Sequence, residues 1–119
     1  MIVVTGGAGF IGSALIHGLN EKGIKDIWVV DQVDHPEKQK NLNPLIFDRL
    51  IGIDDFLKDV LKKKLSRCDA IFHMGACSST TATDESFLTK NNFEYTRHLA
   101  SFCLEKGIRF IYASSAATY

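Results

Sequence analysis

Residues 2–12 read Ile-Val-Val-Thr-Gly-Gly-Ala-Gly-Phe-Ile-Gly. A short apolar run enters a glycine-rich turn, and an amphipathic stretch follows. This order starts a dinucleotide-binding βαβ unit. Gly6 and Gly7 allow the chain to turn sharply after the strand, with positive φ as one way to do so. Gly9 carries no side chain, so a pyrophosphate can approach the backbone and the N-terminal N–H groups of the next helix. Gly12 lets that helix lie close to the sheet. The glycines satisfy G-x-G-x-x-G through Gly7, Gly9 and Gly12, and G-x-x-G-x-x-G through Gly6, Gly9 and Gly12. A structural turn would use the same residues. The strand before, the helix after, and Asp31 at the end of the next strand favour dinucleotide binding.

Asp31 is the first discriminator of the ligand. A carboxylate there accepts hydrogen bonds from a ribose diol, which favours NAD. Lys38, seven residues on, is a cation able to balance a 2′-phosphate instead. Ser114 and Ser115 follow a strand, where open α/β sheets bind ligands, and Ser115 can donate a hydrogen bond to a sugar oxygen. A serine pair satisfying its own backbone is the plainer alternative. Cys77 lies four residues after His73. A catalytic thiol needs a nearby base and a lowered pKa, and packing explains both residues better. Asn91 and Asn92 fall within a helix, where asparagine is mildly unfavourable, so a polar task is indicated. His17, His35 and His98 have no ligand-like spacing, and no metal site is assigned.

The elements that must position these residues alternate. Ile2 to Thr5 is predicted as a strand. A helix follows from about Phe10 to Lys22, stopped by Gly23. Asp26 to Asp31 is the second strand, and its continuous apolar run suits a parallel strand covered on both faces. The polar stretch from Asp31 to Asn43, which contains Pro36, is predicted as a loop, and Pro44 to Arg49 as a short third strand. Asp54 is the expected N-cap of a helix bearing Phe56, Leu57, Val60, Leu61 and Leu65. Ala70 to His73 is another strand, a long helix runs from Asp84 or Glu85 to about Lys106, and Ile108 to Ala113 is the last strand. This is an α/β chain with a doubly wound parallel sheet and helices on both faces.

Length and composition agree. The chain has 119 residues, enough for one domain, with 14 basic and 14 acidic side chains and a formal net charge of zero. No global field favours nucleic acid or an anionic membrane. The basic cluster Lys62-Lys63-Lys64 suits a helix C-terminus. No apolar run approaches a membrane span, and none resembles a signal peptide. Cys68, Cys77 and Cys103 are odd in number and widely spaced, so they read as reduced thiols of a cytoplasmic protein.

The motifs also carry a family resemblance. Thr5-Gly-Gly-Ala-Gly-Phe-Ile-Gly12 resembles the opening of extended short-chain dehydrogenases/reductases. Ile71-Phe-His-Met-Gly-Ala-Cys-Ser-Ser-Thr-Thr81 is more particular and resembles the ADP-L-glycero-D-manno-heptose 6-epimerase family, as do Asn91-Asn92-Phe93 and Tyr112-Ala-Ser-Ser-Ala-Ala-Thr-Tyr119. The resemblance implies a Rossmann-type domain over 1–119, incomplete at its C-terminus. It implies NADP as cofactor, with NAD as the alternative. By position, Phe10 and Ile11 match cofactor contacts, Asp31 and Gln32 the ribose end, and Lys38 a basic residue beside it. Met74, Gly75, Ala76, Cys77 and Ser78 match the loop beneath the nicotinamide ribose. Asn91 matches a cofactor-contacting asparagine, and Ser115 the catalytic serine. Ile53 stands where that family commonly has a lysine.

The implied activity is epimerisation of an ADP-heptose at C6, by transient oxidation and reduction from the other face, for the inner core of bacterial lipopolysaccharide. The implied partners of the complete enzyme are this sugar nucleotide and further copies of itself. The family's Tyr-x-x-x-Lys pair and substrate-binding part are not among these residues, so the chain alone is expected to be inactive. Another extended dehydrogenase/reductase acting on a nucleotide sugar, or a non-catalytic dinucleotide-binding module, are the alternatives.

Overall fold

The computed structural model describes residues 1–33, 36–61, 68–74 and 85–112, with side chains left aside at 61 and 85–93. The elements run β1 (Ile2–Thr5), α1 (Phe10–Glu21), β2 (Ile27–Val30), α2 (Pro36–Leu42), β3 (Arg49–Ile51), α3 (Ile53–Leu61), β4 (Ala70–His73), α4 (Glu85–Lys106) and β5 (Arg109–Tyr112). The strands form one parallel sheet in the order β3-β2-β1-β4-β5. The chain winds outward from β1 to one edge and then returns to wind to the other, which is the Rossmann-type doubly wound arrangement. The switch point lies between β1 and β4, at Thr5 and His73.

Strand alternation divides the core in two. Val3, Val30 and Ile71 face one side, against Phe56 and Val60 of α3 and Leu99, Phe102 and Cys103 of α4. Val4, Ile27 and Val29 face the other, against Ile16 of α1 and Leu42 of α2. Trp28 packs with the first cluster and Val29 with the second. The apolar run of β2 is therefore covered on both faces, as its sequence predicts.

Three local expectations are corrected. The stretch read as a loop from Asp31 to Asn43 contains α2, because Pro36 takes the first helical position, where its fixed φ and missing N–H do no harm. Pro44 to Arg49 is not the third strand. Ile46 donates its N–H to Asn20 Oδ1 at 2.8 Å, and Asn20 Nδ2 donates to the Ile46 carbonyl at 2.9 Å. These bonds tie the segment to α1; bonding to β2 begins with the Asp48 N–H on the Ile27 carbonyl at 2.8 Å, and the paired register starts at Arg49. Asp54 is not a cap: the Phe56 N–H bonds the Gly52 carbonyl, so Gly52 precedes the helix and Asp54 and Asp55 sit in its first turn. Their charge suits that end of the dipole.

The glycines differ in what requires them. Gly6 has φ 67°, a left-handed turn. Gly12 lies against the turn itself: a Cβ there would be 2.2 Å from the Gly6 carbonyl oxygen and 2.8 Å from Gly7 Cα. Backbone cannot move aside as a side chain can. Gly12→Ala is therefore expected to lose about 2 kcal/mol or more of stability. Gly18, in the same helix, has nothing within 4 Å of a built Cβ, so Gly18→Ala is expected to add about 0.5–1 kcal/mol. Urea denaturation of both variants checks the pair, and opposite signs are the required outcome.

Candidate functional site

β1 ends at Thr5 because Gly6 turns the chain. The Gly6 N–H bonds the Val30 carbonyl at 2.7 Å, and the Gly9 N–H bonds the Gly6 carbonyl at 3.0 Å. Gly9 is the N-cap of α1, in extended conformation, with no side-chain cap. The first intrahelical bond joins the Ser13 N–H to the Gly9 carbonyl. The N–H groups of Phe10, Ile11 and Gly12 precede that bond and lack intrahelical partners. Together with the helix dipole they can take a phosphate. The Gly9 N–H is engaged within the turn, so Gly9 serves by its missing side chain rather than as a donor. Phe10 is 86% exposed and Ile11 65%, an apolar pair presented at the same helix end.

Asp31 follows β2 and is nearly buried. Its Oδ2 accepts from the Ala8 N–H at 2.9 Å. Its Oδ1 accepts from the Gln32 N–H at 2.7 Å and from Lys38 Nζ at 3.1 Å. Lys38 Nζ also donates to the Gln32 carbonyl at 2.9 Å. The two charges read from sequence as rivals for a ribose are thus partners. Beside them lies an open cleft of about 480 Å³, lined by Ala8, Gly9, Phe10, Glu37, Lys38, Lys40 and Asn41. The glycine turn forms one wall and α2 the other. Gln32 is exposed beside it. Ile53 packs against the core, and its carbonyl accepts from Tyr95 Oη at 3.3 Å.

At the switch point, Thr5 Oγ1 lies 2.6 Å from His73 Nδ1, and Thr96 Oγ1 lies 2.9 Å from Nε2. A neutral imidazole has one donor and one acceptor, so one threonine donates to it and the other accepts from it. Tyr95 and Phe110 stack on the ring at 5.7 and 6.0 Å. Burial lowers the His73 pKa to about 4 and raises that of Tyr95. His73 is a neutral, fully engaged packing residue. Desolvation likewise pushes the thiols of Cys68 and Cys103 up to about 11, which leaves them unreactive near neutral pH. The Met74 N–H donates to the Thr5 carbonyl at 3.1 Å, continuing the β1–β4 ladder toward the cleft edge.

The structure therefore brings Gly6, Gly9, Phe10, Ile11, Gly12, Asp31, Gln32 and Lys38 to one carboxyl edge, with Met74 along it. Asn91 lies on α4, its side chain outside the description. Gly75, Ala76, Cys77, Ser78 and Ser115 lie outside the described residues, as do Lys62 to Lys64. Sequence reading missed Glu37, Lys40 and Asn41 as cleft residues because it missed α2. Proline followed by an acidic residue was the available signal, since both favour a first helical turn. Among the described residues, no group of three His, Cys, Asp or Glu side chains converges to hold a metal, and no helix is long and apolar enough to cross a membrane.

Known proteins resemble this chain in sequence and fold. A family model described as "NAD dependent epimerase/dehydratase family" matches residues 2–119. A protein of Fusobacterium nucleatum named ADP-L-glycero-D-manno-heptose-6-epimerase is 52% identical over 121 aligned residues, covering 100% of this chain and 36% of that protein. One of the same name from Brachyspira hyodysenteriae is 50% identical, covering 100% and 38%. The crystal structure of the Helicobacter pylori ADP-L-glycero-D-manno-heptose-6-epimerase superposes with a TM-score of 0.81 at 31% identity, covering 99% of this chain and 40% of that one. The chain spans under two fifths of the length of the curated relatives.

The neutral His73 has a consequence for acid stability. Its folded pKa of about 4 lies below the usual 6.5. The unfolded chain takes up a proton below pH 6.5 and the folded chain only near 4. Stability is therefore full above pH 6.5 and falls as pH drops toward 4, by roughly 3 kcal/mol from this residue. Urea midpoints across that range check it. His73→Gln is expected to be less stable at pH 7 and to flatten the fall between pH 6.5 and about 4.

Proposed function

Because the chain belongs to the NAD dependent epimerase/dehydratase family, we propose that it is the cofactor-binding part of an ADP-L-glycero-D-manno-heptose 6-epimerase. The observation that carries this reading is the uncapped N-terminus of α1 opening onto a cleft lined by Lys38, which pairs with Asp31. The relatives over the whole chain support the choice of sugar.

In this reading the α1 N–H groups of Phe10, Ile11 and Gly12 hold the dinucleotide's pyrophosphate. Asp31 and Gln32 address the adenosine ribose. Lys38 stands beside that ribose and, with Lys40 on the same cleft, favours the 2′-phosphate of NADP over NAD. The preference is modest, because Lys38 also neutralises Asp31. Phe10 and Ile11 cover the cofactor with apolar surface. Met74, Gly75, Ala76, Cys77 and Ser78 line the nicotinamide ribose, and Asn91 contacts the cofactor from α4. When bound, the nicotinamide supplies the hydride chemistry by which C6 of ADP-D-glycero-D-manno-heptose is oxidised and reduced to the L-glycero epimer. Ser115 donates a hydrogen bond to the sugar oxygen at that carbon. The complete protein is cytoplasmic and homo-oligomeric, and serves lipopolysaccharide inner-core synthesis.

Two measurements on the full-length protein test this. Calorimetry with NADP and NAD is expected to show binding of both. Gly9→Val is expected to weaken both at least tenfold. Gly9 has φ −77°, open to any residue, but a Cβ there lies a tight 3.3 Å from the Gly6 carbonyl oxygen, so circular dichroism and a urea midpoint first establish that the variant is folded. Unchanged affinity in a folded Gly9→Val variant overturns the site. Lys38→Ala is expected to weaken NADP about fivefold more than NAD, since a half-exposed ion pair contributes about 1 kcal/mol or less; equal weakening removes Lys38 from the 2′-phosphate.

Steady-state kinetics test Ser115. Ser115→Ala is expected to lower kcat by about 10²-fold while cofactor affinity holds, as for a contact made chiefly in the transition state. Ser114→Ala is expected to be milder, because the family resemblance matches the catalytic serine to Ser115. The reverse ranking assigns the role to Ser114.

A further inference from the structure

We infer that Asn41 is a positioning residue for the dinucleotide's phosphates, acting through the peptide that joins Ala8 to Gly9. The inference rests on the dinucleotide reading of this cleft. Asn41 Nδ2 donates to the Ala8 carbonyl at 2.9 Å, across 33 residues of sequence. The N–H of the same peptide unit, that of Gly9, donates to the Gly6 carbonyl at 3.0 Å. Both polar groups of the unit are therefore held, and its plane is set. Ala8 is fully buried, so its carbonyl cannot turn to solvent if the Asn41 donor is removed.

This peptide unit leads directly into Gly9, the N-cap of α1. Its plane fixes the direction in which the next N–H groups, of Phe10, Ile11 and Gly12, point. The other side of Ala8 is held by the same helix, one step removed. The Ala8 N–H bonds Asp31 Oδ2, and the other oxygen of Asp31 is held by Lys38. Lys38 and Asn41 are three residues apart on α2 and share one helix face. A single face of α2 thus holds Ala8 by its carbonyl through Asn41 and by its N–H through Lys38 and Asp31. Only a donor at position 41 serves, because the group it meets is a carbonyl. Asn41 need touch no phosphate to matter: it keeps the turn in the shape that three N–H donors require.

The experiment measures NADP and NAD dissociation constants by calorimetry, and steady-state kinetics, on the full-length protein as wild type, Asn41→Leu and Asn41→Gln. Asn41→Leu is expected to bind both cofactors about tenfold more weakly, with the unmet buried carbonyl loosening the turn. Its cofactor KM should rise in step, while kcat at saturating cofactor stays within about twofold. Asn41→Gln keeps the carboxamide donor and is expected to recover part of the affinity. If Asn41→Leu does not accumulate as folded protein, Asn41→Ser, too short to reach the carbonyl, takes its place. Affinity equal to wild type in the Leu or Ser variant overturns the inference. So does a Gln variant no better than Leu, or a loss confined to kcat. Wild-type protein that binds neither dinucleotide overturns the cofactor reading and the inference with it, whereas wild-type binding with an indifferent Asn41 overturns the inference alone.

Discussion

Asp31 sits almost wholly out of solvent and accepts from two backbone N–H groups and one ammonium. A buried carboxylate is tolerated only when it is paired and its lone pairs are filled. Each of its three partners belongs to a different part of the carboxyl edge: the glycine turn, the exit of β2, and α2. The carboxylate therefore ties α2 to the turn and to the strand end, which the sheet does not do. Its charge also explains why Lys38 is drawn toward β2 rather than left in solvent. Together with the Gly6 N–H on the Val30 carbonyl and Asn41 on the Ala8 carbonyl, the carboxylate sets the mutual placement of the turn, the ribose end and the α2 wall of the cleft.

Much of this was legible because the residues involved leave little choice. A short apolar run with no polar face, bounded by turn residues, suits an interior parallel strand, and β1, β2 and β4 fall close to where their sequences place them. The glycine spacing was legible for the same reason. Gly12 has backbone in the place of its Cβ, and no other residue fits. What was not legible depended on contacts between distant residues. The β3 boundary is set by Asn20, a helix residue 26 positions away from Ile46. No local pattern near Pro44 reports that. α2 was obscured because Pro36 reads equally well as a loop residue and as the first residue of a helix. The pairing of Lys38 with Asp31 could not be seen without α2 to carry the lysine there.

The polar residues at the switch point follow the same logic as Asp31 without charge. Thr5, His73 and Thr96 close a chain of hydrogen bonds between β1, β4 and α4. Among the described residues no buried side-chain nitrogen or oxygen is left without a partner. Such a network is stabilising only when complete. Burial keeps the ring neutral near neutral pH, and the two hydroxyls, each able to donate or accept, complete its bonds. A histidine next to a ligand-binding edge invites a catalytic reading. Here both ring nitrogens are occupied by threonines and both neighbours that stack on it are aromatic, so the ring has no proton to offer a substrate.

α2 is the element whose existence most needs explaining. It has seven residues, too few to be stable by its own backbone bonds. What holds it is a set of contacts at positions 38, 41 and 42, spaced so that they share one face: Lys38 to Asp31 and the Gln32 carbonyl, Asn41 to the Ala8 carbonyl, and Leu42 into the core beside Val29. Two of the three are polar and reach the turn or the strand end, and one is apolar and reaches the sheet. The wall of the cleft is thus as firm as those contacts and no firmer. A ligand that strengthens the turn strengthens the helix that faces it, because Ala8 is common to both. The coupling runs in either direction, as any linkage must.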